Sequence, residues 1–398
     1  MSDITSLAVW GADKRSGLLA RELRQEYVFA YSPDADTVAQ VSLTMPVRLQ
    51  SWVSRELHPI FQMNLPEGAL LEAIRRAVAK VIGEDDLSIL RVTGGNQVGK
   101  NRFALPGEGS PHIEESPESL DELLTYSNTR ELFHELVDRY ALHSGISGVQ
   151  PKVMLDATER GTLASSGYIV KSWGTDYPYL AANEYFCMTA AKRAGLPTPE
   201  FFLSDNGGLF IMRRFDVTPD GAAIGFEDMC SLQALGTAQK YSSSYERVAK
   251  SIRDFVSGDR LMAAREQLFA TLVLSVMLRN GDAHLKNFGV LYDSPLGAVT
   301  LAPVYDVVTT TAYIRKDVPA LSLSGTKKWW PRKVLERFAV AYLFLTGGTV
   351  SATFSRMAEA VTETRGMIPG YIAEHPEFRE IGERMMAEWD EGVNGLGG

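Results

Sequence analysis

The chain has 398 residues, of which 45% are hydrophobic and 22% charged, and its formal net charge is −9. That balance suits a globular protein of two or three domains with a sizeable core. The acidic excess argues against a chain that coats nucleic acid by bulk electrostatics. Two cysteines, Cys187 and Cys230, have neither metal-site nor redox spacing, which points to a reducing compartment without a disulfide framework. The start, MSDITSLAVWGADKR, has no basic segment leading into an apolar core, so it does not read as a signal peptide. The longest apolar run, LFATLVLSVML (268–278), is 11 residues, short of the about 20 that a membrane-spanning helix needs. The expected location is cytoplasmic, with no membrane partner.

Residues 1–104 mix strand patterns, EYVFAYS (26–32) and AQVSLTM (39–45), with one helix pattern, ALLEAIRRAVAKVI (69–82). LPGEGSPHIEESP (105–117) is rich in Pro, Gly and acid and reads as a linker. A short helix pattern follows, TRELFHELVDRYAL (129–142), then strand-like segments around 152–171. The helix pattern over 178–194 stops at Gly195, with Pro197 just beyond. GGLFIMRRFDV (207–217) reads as a strand. From about residue 228 helices dominate, interrupted by one hairpin near 288–305, and 331–390 reads as wholly helical. These patterns predict an α+β chain in three parts: a small mixed module over 1–117, a β-rich lobe over 118–227 and a helix-rich lobe over 228–398.

GGNQVGK (94–100) nearly matches the phosphate-cradling G-x-x-x-x-G-K. It places Asn101 where a hydroxyl should reach magnesium, and a strand pattern follows where a phosphate-binding helix should start. An ordinary glycine turn is the better reading.

LRNGDAHLKNFGVLYD (278–293) carries the chemistry. NFGVLY (287–292), the turn DSPLG (293–297) and AVTLAPVY (298–305) predict a hairpin with Asn287 and Asp306 at its open ends. Antiparallel pairing would bring an amide oxygen beside a carboxylate, a set that suits a hard cation such as magnesium. Asp282 stands five residues before Asn287, and Asp-x-x-x-x-Asn is the spacing of a protein-kinase catalytic loop. In that reading Asp282 accepts a proton from the attacking hydroxyl and Lys286 offsets charge on the transferred phosphoryl group. The competing reading is a polar cap between helix and strand. His284 can serve as a packing residue; no second histidine stands near to make a metal site. A kinase also needs a strand lysine and a helix carboxylate. YIVKSW (168–173) offers Lys171, and Glu184 falls on an apolar helix stripe, where a carboxylate is costly unless paired. SGISGVQPKVML (144–155) is a small-residue loop in which Gly145 and Gly148 allow close approach of a ligand, and Ser147, Gln150 and Lys152 could donate to phosphate oxygens. GTKKWWPRK (325–333) mixes basic residues with tryptophans and reads chiefly as a solvated face over core rings, with steering of an acidic partner as the alternative.

In this order, FQMNLPEG (61–68), SGVQPK (147–152), NEYFCMTAAKRAGL (183–196), IMRRFD (211–216), EDMCSLQALG (227–236), GDAHLKNF (281–288) and APVYD (302–306) resemble blocks of the HipA family of toxin Ser/Thr kinases from bacterial toxin–antitoxin operons. The likeness covers nearly the whole chain. It implies a two-lobed protein-kinase-like fold with an extra small mixed N-terminal subdomain and a helical C-terminal lobe. It implies ATP and Mg2+, with Asp282 as catalytic base and Asn287 and Asp306 as metal ligands. Ser147, Gly148, Val149, Gln150 and Lys152 would form the nucleotide loop. Lys171, Glu184, Arg213, Phe215, His284 and Tyr305 would complete the ATP site, the hinge pair through backbone groups. The implied substrate is an aminoacyl-tRNA synthetase, whose phosphorylation arrests translation and growth, the persistence phenotype. The implied partner is a small helix-turn-helix antitoxin of the HipB type, through which alone the chain would meet DNA. Two positions depart from the family. Gly145 stands where a serine is often autophosphorylated, which leaves Ser147 or Ser144 as candidates. Arg213 stands where the hinge often has an acid. The alternatives are a catalytically silent corepressor acting with the antitoxin, and an enzyme on the same scaffold that transfers AMP or acts on a small molecule.

Overall fold

The computed structural model describes residues 4–11, 14–22, 26–67, 71, 85–95, 97–111, 120–125, 161–164, 167–172, 176–218 and 220–397. The expected helices over 69–82 (Leu71 excepted) and 129–142, and the loop over 144–155, lie outside the described residues. The protein is a mixed α+β chain that divides into two compact units. One comprises Met1–Asp176, Ser204–Thr237 and Leu291–Val299, and the other Tyr177–Leu203, Ala238–Val290 and Thr300–Gly398.

The first unit begins with strands β1 (Ser6–Gly11), β2 (Lys14–Arg21), β3 (Tyr27–Tyr31), β4 (Trp52–Ser54) and β5 (Asn101–Ala104), which form one antiparallel sheet in the order β4-β3-β2-β1-β5. Residues two apart share a face of a strand. Leu7 and Val9 of β1, Leu19 of β2, Phe29 of β3 and Phe103 of β5 thus reach one core, completed by Ile60, Phe61 and Leu90. The segment predicted as a strand over 39–45 is not one. Asp36 caps a 3-10 turn, Thr37–Ala39, by accepting from the Val38 and Ala39 amides, and only an isolated bridge joins Ser42 to Met45. Its alternating apolar residues are buried by tertiary packing instead; Val41 and Met45 are both in the core.

A second group of strands, Gly161–Ala164, Tyr168–Ser172 and Phe210–Arg213, is antiparallel, with Lys171 opposite Thr162 on one side and Phe210 on the other. The strand predicted over 207–217 ends at Arg213 because Arg214 and Asp216 turn inward to each other, at 2.6 Å, with side chains 2% and 0% exposed. That pair explains the glycine turn at 94–100. The Gly99 amide donates to Asp216 Oδ2 at 2.7 Å and Arg214 Nη2 donates to Gln97 O at 2.8 Å. Gly99 sits at φ +82°, a left-handed position that favours glycine. The segment after it enters β5, as the strand pattern required.

The second unit is helical: Leu180–Arg193, Tyr245–Phe255, Leu261–Met277, Arg332–Leu343, Gly347–Arg365, Ile368–Glu374 and Arg379–Leu396. The expected C-terminal helical stretch is thus several helices with short breaks. Leu261–Met277 is apolar over its last ten residues except for Thr271 and Ser275 and is buried there throughout, as a helix with almost no polar face must be. Gly392 of the last helix lies against its end; a Cβ at that glycine would come 2.1 Å from Met277 O. Among the described residues no helix is long and apolar enough to cross a membrane.

Candidate active site

The helix Leu261–Met277 delivers the candidate catalytic segment through a Schellman ending. The Asn280 amide donates to Ser275 O at 2.8 Å and the Arg279 amide to Val276 O at 3.3 Å. The left-handed residue in this motif is usually glycine; here it is Arg279, at φ 55°. Arg279 is anchored by Glu391 at 2.8 Å, and its carbonyl accepts from both the amide and the hydroxyl of Thr310 at 3.2 Å. The next turn is equally specified. Asn280 Oδ1 accepts from the Asp282 amide at 3.1 Å, and the Gly281 amide donates to Thr310 Oγ1 at 2.8 Å. A Cβ at Gly281 would meet Asp317 Oδ2 at 2.0 Å and Thr310 Oγ1 at 2.6 Å, so this position has no room for a side chain.

Asp282 is half-buried, and its Oδ1 accepts from the Tyr241 hydroxyl at 3.0 Å. The Tyr241 ring stands edge-on to His284, with centroids 5.2 Å apart. The neighbouring Lys240 carbonyl accepts from the Leu285 amide at 3.1 Å. Residues 240–241 thereby brace the candidate catalytic segment from outside its own sequence. His284 is buried, and Lys286 is half-buried in the 3-10 turn Leu285–Asn287.

Asn287 and Asp306 meet as expected, by a different route. Asn287 Nδ2 donates to Asp306 Oδ2 at 2.8 Å and to Asp306 O at 3.3 Å. The strands, however, cover only Gly289–Tyr292 and Val299–Leu301. After Ala302, whose amide still donates to Gly289 O, the chain leaves the hairpin: the Val304 amide donates to Pro197 O at 2.7 Å. Pro303 has no amide to continue a ladder. The chain then returns to Asn287 through Asp306, which sits at φ 59°. A non-glycine residue held in the left-handed region costs roughly 1–3 kcal/mol and persists where its surroundings over-determine it, often at functional sites. Tyr305 helps from the preceding position, its hydroxyl donating to Lys286 O at 2.6 Å.

The pair fits a hard cation of the magnesium type. It offers one carboxylate, half-buried, and one amide, buried, and such an ion keeps water or phosphate oxygens for its remaining positions. Here the amide presents its NH2 group to the carboxylate while its Oδ1 accepts from the His284 amide at 3.3 Å; its oxygen would have to turn to serve as a ligand. A cavity of about 20 Å3, room for about one water, lies against the pair; its lining is largely apolar, with Thr271, Ser275, Asn280, Asn287, Tyr305 and Asp306 among it.

Asp282, His284, Lys286, Asn287, Tyr305 and Asp306 are thus brought together in one corner of the second unit. Glu184, in the helix Leu180–Arg193, is 1% exposed in the same unit. Lys171, Arg213 and Phe215 belong to the first unit. Lys171 is buried, with Nζ 5.8 Å from the Phe210 ring centre. Arg213 is exposed and lies 5.4 Å over the Tyr168 ring; Phe215 packs edge-on against Phe226 at 5.7 Å. Ser144, Ser147, Gly148, Val149, Gln150 and Lys152 lie outside the described residues.

Sequence reasoning missed Tyr241, Thr310 and a buried carboxylate, Glu227. Glu227 Oε1 accepts from the Leu43 amide at 2.6 Å and the Tyr292 hydroxyl at 2.7 Å. Its Oε2 accepts from Ser42 Oγ at 2.7 Å and Ser231 Oγ at 3.4 Å. Burial raises its pKa, against the lowering effect of these donors. Burial also lowers Lys100 to about 8, with the Glu227 charge pulling it back up. The signal available was slight: Glu227 stands in the short strand GFED with Ser231 one helical turn on, while its other donors come from two distant segments, residues 42–43 and Tyr292, and leave no local pattern.

Comparison with known proteins agrees with this architecture. A protein of Sinorhizobium fredii named "Putative kinase Y4mE" is 28% identical over 339 residues, 77% of this chain and 78% of its own length. A Haemophilus influenzae protein named "Putative kinase" is 29% identical over 187 residues, 42% of this chain and 53% of its own. HipA from a Shewanella oneidensis complex of HipA, HipB and operator DNA has the same fold, with a TM-score of 0.67 at 16% identity over 98% of both chains. The family profile of the HipA N-terminal domain matches residues 7–103, and that of the HipA-like C-terminal domain matches residues 144–367, more than half of the chain. The chain belongs to the HipA family.

Proposed function

We propose that the protein is an ATP-dependent protein serine/threonine kinase and the toxin of a toxin–antitoxin pair. The observation that carries this reading is the corner at which Asp282 stands five residues before Asn287, and Asn287 touches Asp306 at 2.8 Å. Asp282, steadied by Tyr241 and by the turn around Gly281, accepts the proton of the substrate hydroxyl as that oxygen attacks the γ-phosphorus of ATP. The P–O bond to ADP breaks in the same displacement, and ADP leaves with the electron pair. Lys286 offsets charge on the phosphoryl group in transfer. Asn287 and Asp306 would hold Mg2+, which when bound neutralises phosphate charge. Lys171 is assigned to the ATP phosphates with Glu184 as its carboxylate partner. Ser147–Lys152 is assigned to the nucleotide loop, Arg213 and Phe215 to the adenine contact through backbone groups, and His284 and Tyr305 to the walls of the site. Ser147 and Ser144 are the candidates for autophosphorylation.

The proposed substrate is an aminoacyl-tRNA synthetase and the proposed partner a small HipB-type antitoxin, in line with the HipB and operator DNA named in the Shewanella complex. The test is incubation of the purified chain and labelled ATP with cell lysate, followed by mass analysis of the labelled protein. A synthetase that gains one phosphate on serine supports the proposal. A gain of a nucleotide, or labelling that survives Asp282→Asn, contradicts it.

A further inference from the structure

The turn that carries Asp306 is tied from behind by a buried polar clamp. Asn183, on the helix Leu180–Arg193, pairs with the backbone of Thr309 as one strand pairs with another. Its Nδ2 donates to Thr309 O at 3.0 Å, and its Oδ1 accepts from Thr309 N at 2.8 Å. The Thr309 hydroxyl accepts from Trp389 Nε1, on the last helix, at 2.7 Å. Cys187, one helical turn after Asn183, lies 3.4 Å from both Asn183 Oδ1 and Thr309 Oγ1. Asn183, Cys187, Thr309 and Trp389 are each 0% exposed. An amide in such surroundings is costly unless its partners are in place, and here it meets both backbone groups of one residue.

Thr310 faces the other way. Its hydroxyl donates to Arg279 O and accepts from the Gly281 amide, one residue before Asp282. The two threonines therefore tie the residues that follow Asp306 to the helix of Asn183 on one side and to the Asp282 loop on the other. Asp306, three residues before Thr309, keeps its left-handed backbone in a segment fixed at this point.

We infer that Asn183 is a positioning residue for Asp306: through Thr309 it holds the turn that presents the Asp306 carboxylate to Asn287, and so sets the metal affinity of that pair. The inference rests on the proposed reading of Asn287 and Asp306 as a magnesium site. Groups that orient a metal ligand from outside typically change metal affinity about 10–100-fold when removed. Mn2+, in place of Mg2+, can be titrated into the full chain with saturating ADP and followed by electron paramagnetic resonance, beside ADP binding in EDTA. Asn183→Ala is expected to weaken Mn2+ by about tenfold or more and to leave metal-free ADP binding unchanged. Asn183→Asp keeps the acceptor for the Thr309 amide and removes only the Nδ2 donor to Thr309 O, so it carries the test should the alanine variant not fold; a loss of about threefold is expected, below the usual range for a whole outer partner. Wild-type Mn2+ affinity in both clamp variants, with binding lost in Asp306→Asn, would overturn this inference alone. Undiminished Mn2+ binding in Asp306→Asn would overturn the metal reading beneath it.

Discussion

Glu227 in the first unit and Asp306 in the second are both acids held by hydrogen-bonding neighbours, yet their surroundings differ in kind. Glu227 is 0% exposed on a regular strand and collects three hydroxyls and an amide from residues 42, 43, 231 and 292. Asp306 is half-buried on a left-handed turn, touches the amide of Asn287 and lies four residues before a second clamp at Thr310. The first arrangement uses a carboxylate to gather chain segments. The second spends backbone strain to aim one. Burial alone therefore does not identify a functional acid; a buried acid saturated by hydroxyls reads as structure, and an accessible one on a strained, cross-braced turn reads as chemistry.

That contrast breaks first if the acids of the corner are removed. Asp282→Asn is expected to lower phosphate transfer by about 100-fold or more, the usual contribution of a positioned base, while thermal unfolding of the half-exposed position stays near the wild type. Glu227→Ala should do the reverse. It strands the Leu43 amide and the hydroxyls of Ser42 and Tyr292 in the interior, a loss of about 2 kcal/mol or more, seen as a lower melting temperature. Loss of activity in Glu227→Ala at unchanged stability would contradict the structural role assigned to this acid.

Gly281→Ala tests the bracing of the base. Its Cβ must displace both Asp317 and Thr310, so turnover should fall by about tenfold or more, given that a catalytic group misplaced by about 1 Å can cost about 100-fold. Glu227→Gln sharpens the other side. Because burial raises the Glu227 carboxyl above its ordinary 4.5, the folded protein holds that proton more tightly than the unfolded chain. The stabilisation is complete below 4.5 and is lost as pH rises through the raised folded value. The melting temperature of the wild type should therefore fall relative to Glu227→Gln as the pH is raised through that window; a difference that stays constant with pH would refute the assignment. Tyr241→Phe should have the smallest effect, about threefold in kcat with KM for ATP unchanged, since one partly exposed hydrogen bond is worth about 1 kcal/mol or less.

The corner was legible because its signals are local. Asn287, the turn at 293–297 and Asp306 follow one another in a single short stretch of sequence, and Asp282 lies just before it. Even there the strand pattern over 298–305 overran the true end at Leu301, because Pro197, distant in sequence, captures the Val304 amide. The braces were not legible, since each joins residues far apart: Tyr241 with Asp282, Asn183 with Thr309, Ser42 with Glu227. The segment 39–45 shows the same limit in the fold. Its alternation of apolar residues is that of a strand, but Ser42 and Leu43 turn their donors to Glu227 instead of a neighbouring strand.

The account stands most directly on separating nucleotide binding from transfer in one variant. ATP affinity with Mg2+, measured by calorimetry on the purified Asp282→Asn chain, should match the wild type while labelled phosphate no longer appears on the target protein. Transfer by that variant at the wild-type rate would contradict the assignment of Asp282 and, with it, the catalytic reading of the corner.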